Sequence, residues 1–130
     1  MRKLHLLVGL AGIAAFLGTG LYMRAHFPAA YAGNESLRYM YRANHIYLLL
    51  ASLVNVTLGV YLVRAETGWR ASLGKAGSVL ALSSPAVLCY AFFAEVPSAS
   101  PERIATALGV FAIALGVVAQ LPSLGRAGRP

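Results

Sequence analysis

Between Asn34 and Val63 the chain gives a helix no reason to stop, with no proline and no glycine before Gly59. Asn34 is a good N-cap and Glu35 suits the positive end of the helix dipole, so one long helix is expected here. Its first part, Glu35 to His45, is polar and aromatic. Ile46 to Val63 is apolar apart from Ser52, Asn55 and Thr57. At about 100° per residue, Arg38, Arg42, His45, Ser52 and Gly59 fall on one side, with Tyr41 and Asn55 on its flank. A lipid-facing helix would not gather its polar groups on one stripe, so this stripe is expected to face protein. The helix should begin outside a membrane and run through it.

Of the 130 residues, 58% are hydrophobic and only 12% charged, against about a quarter charged in a soluble domain. Four spans near 4–24, 43–63, 76–94 and 103–121 use almost the whole length, at about twenty residues per crossing. The expected fold is therefore an all-α integral membrane four-helix bundle in a single domain. The start of helix 2, about 35–42, should extend beyond the membrane, and the tail 122–130 should be disordered. The net charge of +7 is spread over the span ends. Such residues set topology and meet lipid phosphates, so the bilayer and not nucleic acid is the expected partner.

Arg2-Lys3 followed by Leu4 to Met23 reads as an uncleaved first span, longer than a signal-peptide core. Gly9, Gly12, Phe16, Thr19 and Met23 share one face with His5, and small residues there admit a close neighbour. Phe27 to Gly33, with Pro28, reads as a loop, and Arg64 to Lys75 as a connection anchored by Trp69. Pro85, in the third span, leaves the carbonyl of Ala81 without its helical donor. Ser100 is expected to cap the last helix, with Pro101 at its first position. Ala105, Gly109, Ala112 and Gly116 then form a small-residue seam, and Pro122 ends the helix. Arg2, Lys3, Arg64, Arg70, Lys75, Arg126 and Arg129 lie to one side of the expected spans; Arg24, Arg38, Arg42 and Arg103 lie to the other. The excess places both termini in the cytoplasm of a bacterial cell, with the protein in its inner membrane.

The candidate chemistry sits at the other end. His26 leaves the first span as His45 enters the second, and Arg24, Arg38, Arg42, Tyr41 and Met23 surround them. Imidazoles from two helices can bind a b-type haem, the leading cofactor candidate, with arginines for its propionates. A quinone head group is an alternative, and His26, His45 and Met23, with Met40, would suit copper(I). The structural reading is that these are amphipathic side chains at an interface. His5, near the opposite face, is expected to be interfacial beside Arg2 and Lys3. Asn55, Gly59, Pro85, Gly109, Ala112 and Gly116 are read as helix-packing residues. Buried Asn55 is expected to bond across helices to Thr19, Ser83, Ser84 or the carbonyl freed by Pro85. Cys89 reads as a small core residue.

The chain contains no Asp, and its glutamates, Glu35, Glu66, Glu95 and Glu102, stand at or outside the span ends. A proton-coupled pump needs an ionisable group within the membrane, and hydrolysis needs a nucleophile with a base, so neither class is favoured. Lys3-Leu4-His5, Gly20-x-Tyr22-x-Arg24 and Trp69 before Lys75 loosely resemble the small four-span protoporphyrinogen oxidases. The His-rich context that follows the first span in that family is absent. The resemblance implies a tetrapyrrole oxidoreductase with His5 and Lys75 as key residues, and it is not adopted as an assignment. Two expectations remain. The first is a non-enzymatic accessory or assembly component of a membrane complex, as a homodimer or a larger assembly, with no catalytic residues. The second is a cofactor-binding membrane protein.

Overall fold

The computed structural model describes residues 1–62, 68–98 and 102–124. Among these the secondary structure is wholly helical: α1 (Arg2–Ala30), α2 (Glu35–Tyr61), α3 (Trp69–Ala94), α4 (Ile104–Val118) and one turn, α5 (Leu121–Leu124). A 3₁₀ turn, Val96–Ser98, follows α3. The first three helices have 29, 27 and 26 residues and are apolar and long enough to cross a membrane. At 1.5 Å per residue α2 extends about 40 Å, more than the ~30 Å hydrocarbon core.

Helix α1 lies mainly along α2, α4 lies mainly along α3, and α2 joins the two pairs through α3. The α1 face turned inward carries His5, Gly9, Gly12, Thr19 and Phe27, close to the face expected from sequence. Glycine lets these backbones touch. A Cβ on Gly9 would stand 2.7 Å from the Val56 backbone nitrogen, and one on Gly59 would stand 2.7 Å from that of Leu6. At the foot of this pair Arg2 donates to the Gly59 and Val60 carbonyls, closing the C-terminal end of α2.

Several boundaries differ from the sequence expectation. Helix α1 runs through Pro28 to Ala30, so the loop shrinks to the residues just before Asn34. Pro28 is tolerated because it falls in the last turn, exposed, where few carbonyls lose a donor. Trp69 begins α3 and does not sit in a connection. Asn34 does cap α2, its side chain accepting from Leu37 N at 2.9 Å. Helix α4 has 15 residues, about 22 Å, which is short for a crossing. Its N-cap is Arg103, while the expected Ser100–Pro101 cap lies outside the described residues. Helix α4 ends at Val118, before Pro122, and Pro122 to Leu124 belong to α5. Residues 125–130, the remainder of the expected disordered tail, lie outside the described residues, as does Val63.

The expected seam on α4 is spent within the chain. Gly109 and Gly116 are buried with Thr106 and Ile113, whereas Ala105 and Ala112 are only half-buried. A Cβ on Gly109 would meet Leu88 at 2.6 Å, and one on Gly116 would meet the Gly77 carbonyl at 2.9 Å. These glycines hold α4 to α3 and do not form an outward-facing seam for a second copy.

Candidate functional site

The polar stripe on α2 is split by the packing. Tyr41, Asn44, Ser52, Asn55 and Gly59 are buried, His45 and Arg38 are half-buried, and Arg42 is exposed. The buried set follows the Leu37–Tyr41–Asn44–Leu48–Ala51–Asn55 side of the helix, about a third of a turn from the side centred on Arg42. The charged head groups stay outward because nothing inside would repay their dehydration.

His26 and His45 are held apart. His26 is exposed; its Nδ1 donates to the Tyr22 carbonyl at 2.9 Å and its ring stacks on Tyr22, centroids 4.1 Å apart. His45 bonds Thr19 Oγ1 through Nδ1 at 2.8 Å and stacks on Phe16 at 3.9 Å. Thr19 precedes His26 by seven residues, about 10 Å along α1. The two imidazoles therefore sit at different depths, each engaged with its own neighbours.

Beside His26 lies a cluster of aromatic rings, Tyr22 standing between it and Tyr41 and Phe92. Tyr41 is 1% exposed and lies 4.9 Å from Phe92 and 5.9 Å from Phe27, centroid to centroid. Its hydroxyl is 3.3 Å from that of Tyr31. Met23 and Met40 pack against the same cluster, and the Arg38 guanidinium lies over the Phe27 ring at 5.5 Å. Arg24 is exposed. Among the described residues no three His, Cys, Asp or Glu side chains come together as a metal-binding group.

His5 departs from the interfacial reading. It is fully buried, and its Nδ1 lies 2.7 Å from Asn55 Oδ1. The Asn55 amide donates to the Ala51 and Ala81 carbonyls at 2.9 and 2.7 Å. Ala81 is the carbonyl that Pro85 deprives of its helical donor, as expected. Ser84 does not bond Asn55; its hydroxyl donates to the Gly109 carbonyl at 2.7 Å, while Ser83 bonds Leu80 within its own helix. Cys89 is half-buried, and Lys75 is exposed whereas His5 is buried.

A second polar cluster was not legible in the sequence. The Glu95 carboxylate accepts from Ala105 N, Thr106 N and Thr106 Oγ1 at 2.7, 2.9 and 2.6 Å. It thereby caps the start of α4 from ten residues away. Burial raises its pKa, but these hydrogen bonds and the nearby Arg103 charge outweigh burial and hold it below the ordinary value. Asn44, fully buried, donates to Thr106 Oγ1 at 3.1 Å. Gln120 likewise donates to the Gly74 carbonyl and to Ser78 Oγ at 2.9 and 3.1 Å. The available signal was a single polar side chain within an apolar run, which says that a partner is needed but not which one.

Chemically, these groups are donors and acceptors matched between helices. No family model matches the chain, no curated protein matches it and no solved structure matches it.

Proposed function

We propose that this protein is a non-enzymatic accessory or assembly component of a bacterial inner-membrane complex, multi-pass, with both termini in the cytoplasm. The observation that carries this reading is the placement of the buried polar side chains. His5 with Asn55, Asn44 with Thr106, Ser84 with the Gly109 carbonyl and Gln120 with Ser78 each tie one helix to another. Polar groups used in this way hold a bundle in one arrangement. The outer surface of α3 and α4 presents Tyr90, Phe93, Leu108 and Phe111, each more than half exposed. Beside Glu95, Tyr90 and Leu108 border a cleft of about 290 Å³ lined also by Ala94, Ile104 and Ala105. A rigid bundle with such a face suits docking against other transmembrane helices, including those of a second copy. Arg2, Lys3, Arg70 and Lys75 at the opposite end support the cytoplasmic placement of that end.

The test is purification of the tagged full-length chain in lipid nanodiscs, followed by native mass spectrometry. The reading expects a stoichiometric membrane partner or a homo-oligomer, lost in Phe93→Arg/Phe111→Arg while the helical content is retained. A monomer without partners, unaffected by those changes, would reject it.

A further inference from the structure

We propose that a groove between α1 and α3 holds one acyl chain of an anionic phospholipid, whose phosphate sits against Lys75. The site does not rest on the accessory-component reading. It lies on a different flank of α3 from the one that meets α4 through Gly77, Ser84 and Leu88.

The groove has a floor, walls and lips. Gly12 and Pro85, both buried, form the floor, and a Cβ on Gly12 would stand 3.4 Å from that of Pro85. Val8, Ala15, Leu82 and Cys89, half-buried, form the walls. Ala11 and Ala86, exposed, form the lips, and the whole encloses about 330 Å³. Small side chains at Ala11, Ala15 and Ala86 leave this space between helices that meet at its floor. Apart from the Cys89 thiol, every lining side chain is hydrocarbon.

Depth and charge select the occupant. Helices α1 and α3 run the same way across the membrane and Gly12 meets Pro85, so Arg2 and Lys75, each ten residues earlier, lie level. Ten residues rise about 15 Å, half of the ~30 Å hydrocarbon core. With Lys75 at the head-group boundary, the floor falls near the bilayer midplane, at the depth of the lipid tails. Water would find no polar partners there, so hydrocarbon fills the groove. Lys75 precedes Leu82, Ala86 and Cys89 by 7, 11 and 14 residues and so shares their face of α3. It is exposed, as is Lys3 at the same level of α1, whereas Arg2 is committed to the α2 carbonyls. The described glutamates, Glu35, Glu95 and Glu102, stand at the other end of the bundle. This charge suits a phosphate, with the lysine stem lying along the apolar surface. A second copy docked here in the same orientation would set Lys3 and Lys75 against their own counterparts, like charge against like.

Native mass spectrometry of the full-length detergent-solubilised protein, titrated with dioleoylphosphatidylglycerol or dioleoylphosphatidylcholine, tests this. The expected result is one tightly held phosphatidylglycerol per chain, bound in preference to phosphatidylcholine. Lys75→Gln should lower that preference about fivefold. Ala11→Leu/Ala86→Phe, which closes the lips, should remove the tight binding, whereas Leu53→Phe, at an exposed position of α2, should not. In wild-type protein in nanodiscs, phosphatidylglycerol carrying a diazirine on its acyl chain should label residues 8–15 and 82–89 above all others. Labelling spread evenly over the lipid-facing residues of all helices would overturn the proposal. So would equal affinity of the wild type for the two lipids, or a lip-closing variant that binds phosphatidylglycerol as tightly as wild type. A lipid-free dimer mass, lost in the lip-closing variant, would seat a second copy in the groove instead and overturn it too.

Discussion

The Asn55 amide lies 2.7 Å from the carbonyl of Ala81, the acceptor that Pro85 strips of its donor, so a defect in α3 is repaired by a side chain from α2. The same amide accepts from His5 Nδ1 at 2.7 Å, provided that nitrogen carries the proton, and so three helices meet at one residue.

Asn55→Leu removes these bonds while keeping similar bulk, and leaves the Ala81 carbonyl unsatisfied in an apolar interior. The expected loss is about 2 kcal/mol, from the cost of an unpaired buried acceptor and the modest net value of interhelical bonds in membranes. Thermal unfolding in detergent, followed by circular dichroism, measures it. A change within error of zero would mean that water or a neighbouring group replaces the amide.

Gly59 and Gly18 make a matched pair. A Cβ on Gly59 would lie 2.7 Å from the Leu6 nitrogen, whereas one on Gly18 meets nothing within 4 Å. Gly59→Ala must separate α1 from α2 and should cost about 1–3 kcal/mol. Gly18→Ala should be neutral or stabilising by up to about 1 kcal/mol, through helix propensity alone. Equal midpoints for the two variants would contradict the close approach.

Glu95 makes stability depend on pH. Its carboxyl is held below its ordinary value of 4.5 in the folded chain, so its contribution is complete above that value and lost as pH falls through the lower folded one. Stability should therefore fall on acidification below about pH 4.5, and Glu95→Gln should flatten that part of the profile. An unchanged slope in the variant would assign the acid sensitivity to other carboxylates.

Thr106 joins three side chains. Its Oγ1 donates to Glu95 and accepts from Asn44 and, at 3.3 Å, from Arg103. Thr106→Val preserves shape and the backbone bond to Glu95 but removes the hydroxyl. A loss of about 1–2 kcal/mol is expected, with faster amide hydrogen exchange confined to the first turn of α4. Uniform acceleration over all helices would show that the hydroxyl matters to the whole bundle.

Much of the fold was legible in the residues themselves. The apolar runs, the Asn34 cap, the inward face of α1 and the need of Asn55 for a partner follow from local rules of length, periodicity and hydrogen-bond satisfaction. The start of α3 at Trp69 and the passage of α1 through Pro28 were not legible, because helix ends depend on whether packing rewards another turn. The candidate site was legible in its parts but not in its assembly. The His26–His45 pairing assumed that residues near the same end of two helices share a level.

The sequence by itself determined that this chain is helical and apolar and which face of α1 must turn inward. Of the four spans expected from it, three form helices long and apolar enough to cross a membrane, and the fourth is the shorter α4. Periodicity and dehydration act residue by residue and need no knowledge of neighbours. Tertiary structure alone decided that His45 meets Thr19, that His5 meets Asn55, that Glu95 caps α4 and that the α4 glycines serve α3. Those pairings depend on the axial register of one helix against another. Register is set by which glycines let backbones touch, and a slip of one turn, about 5.4 Å, would reassign each of them.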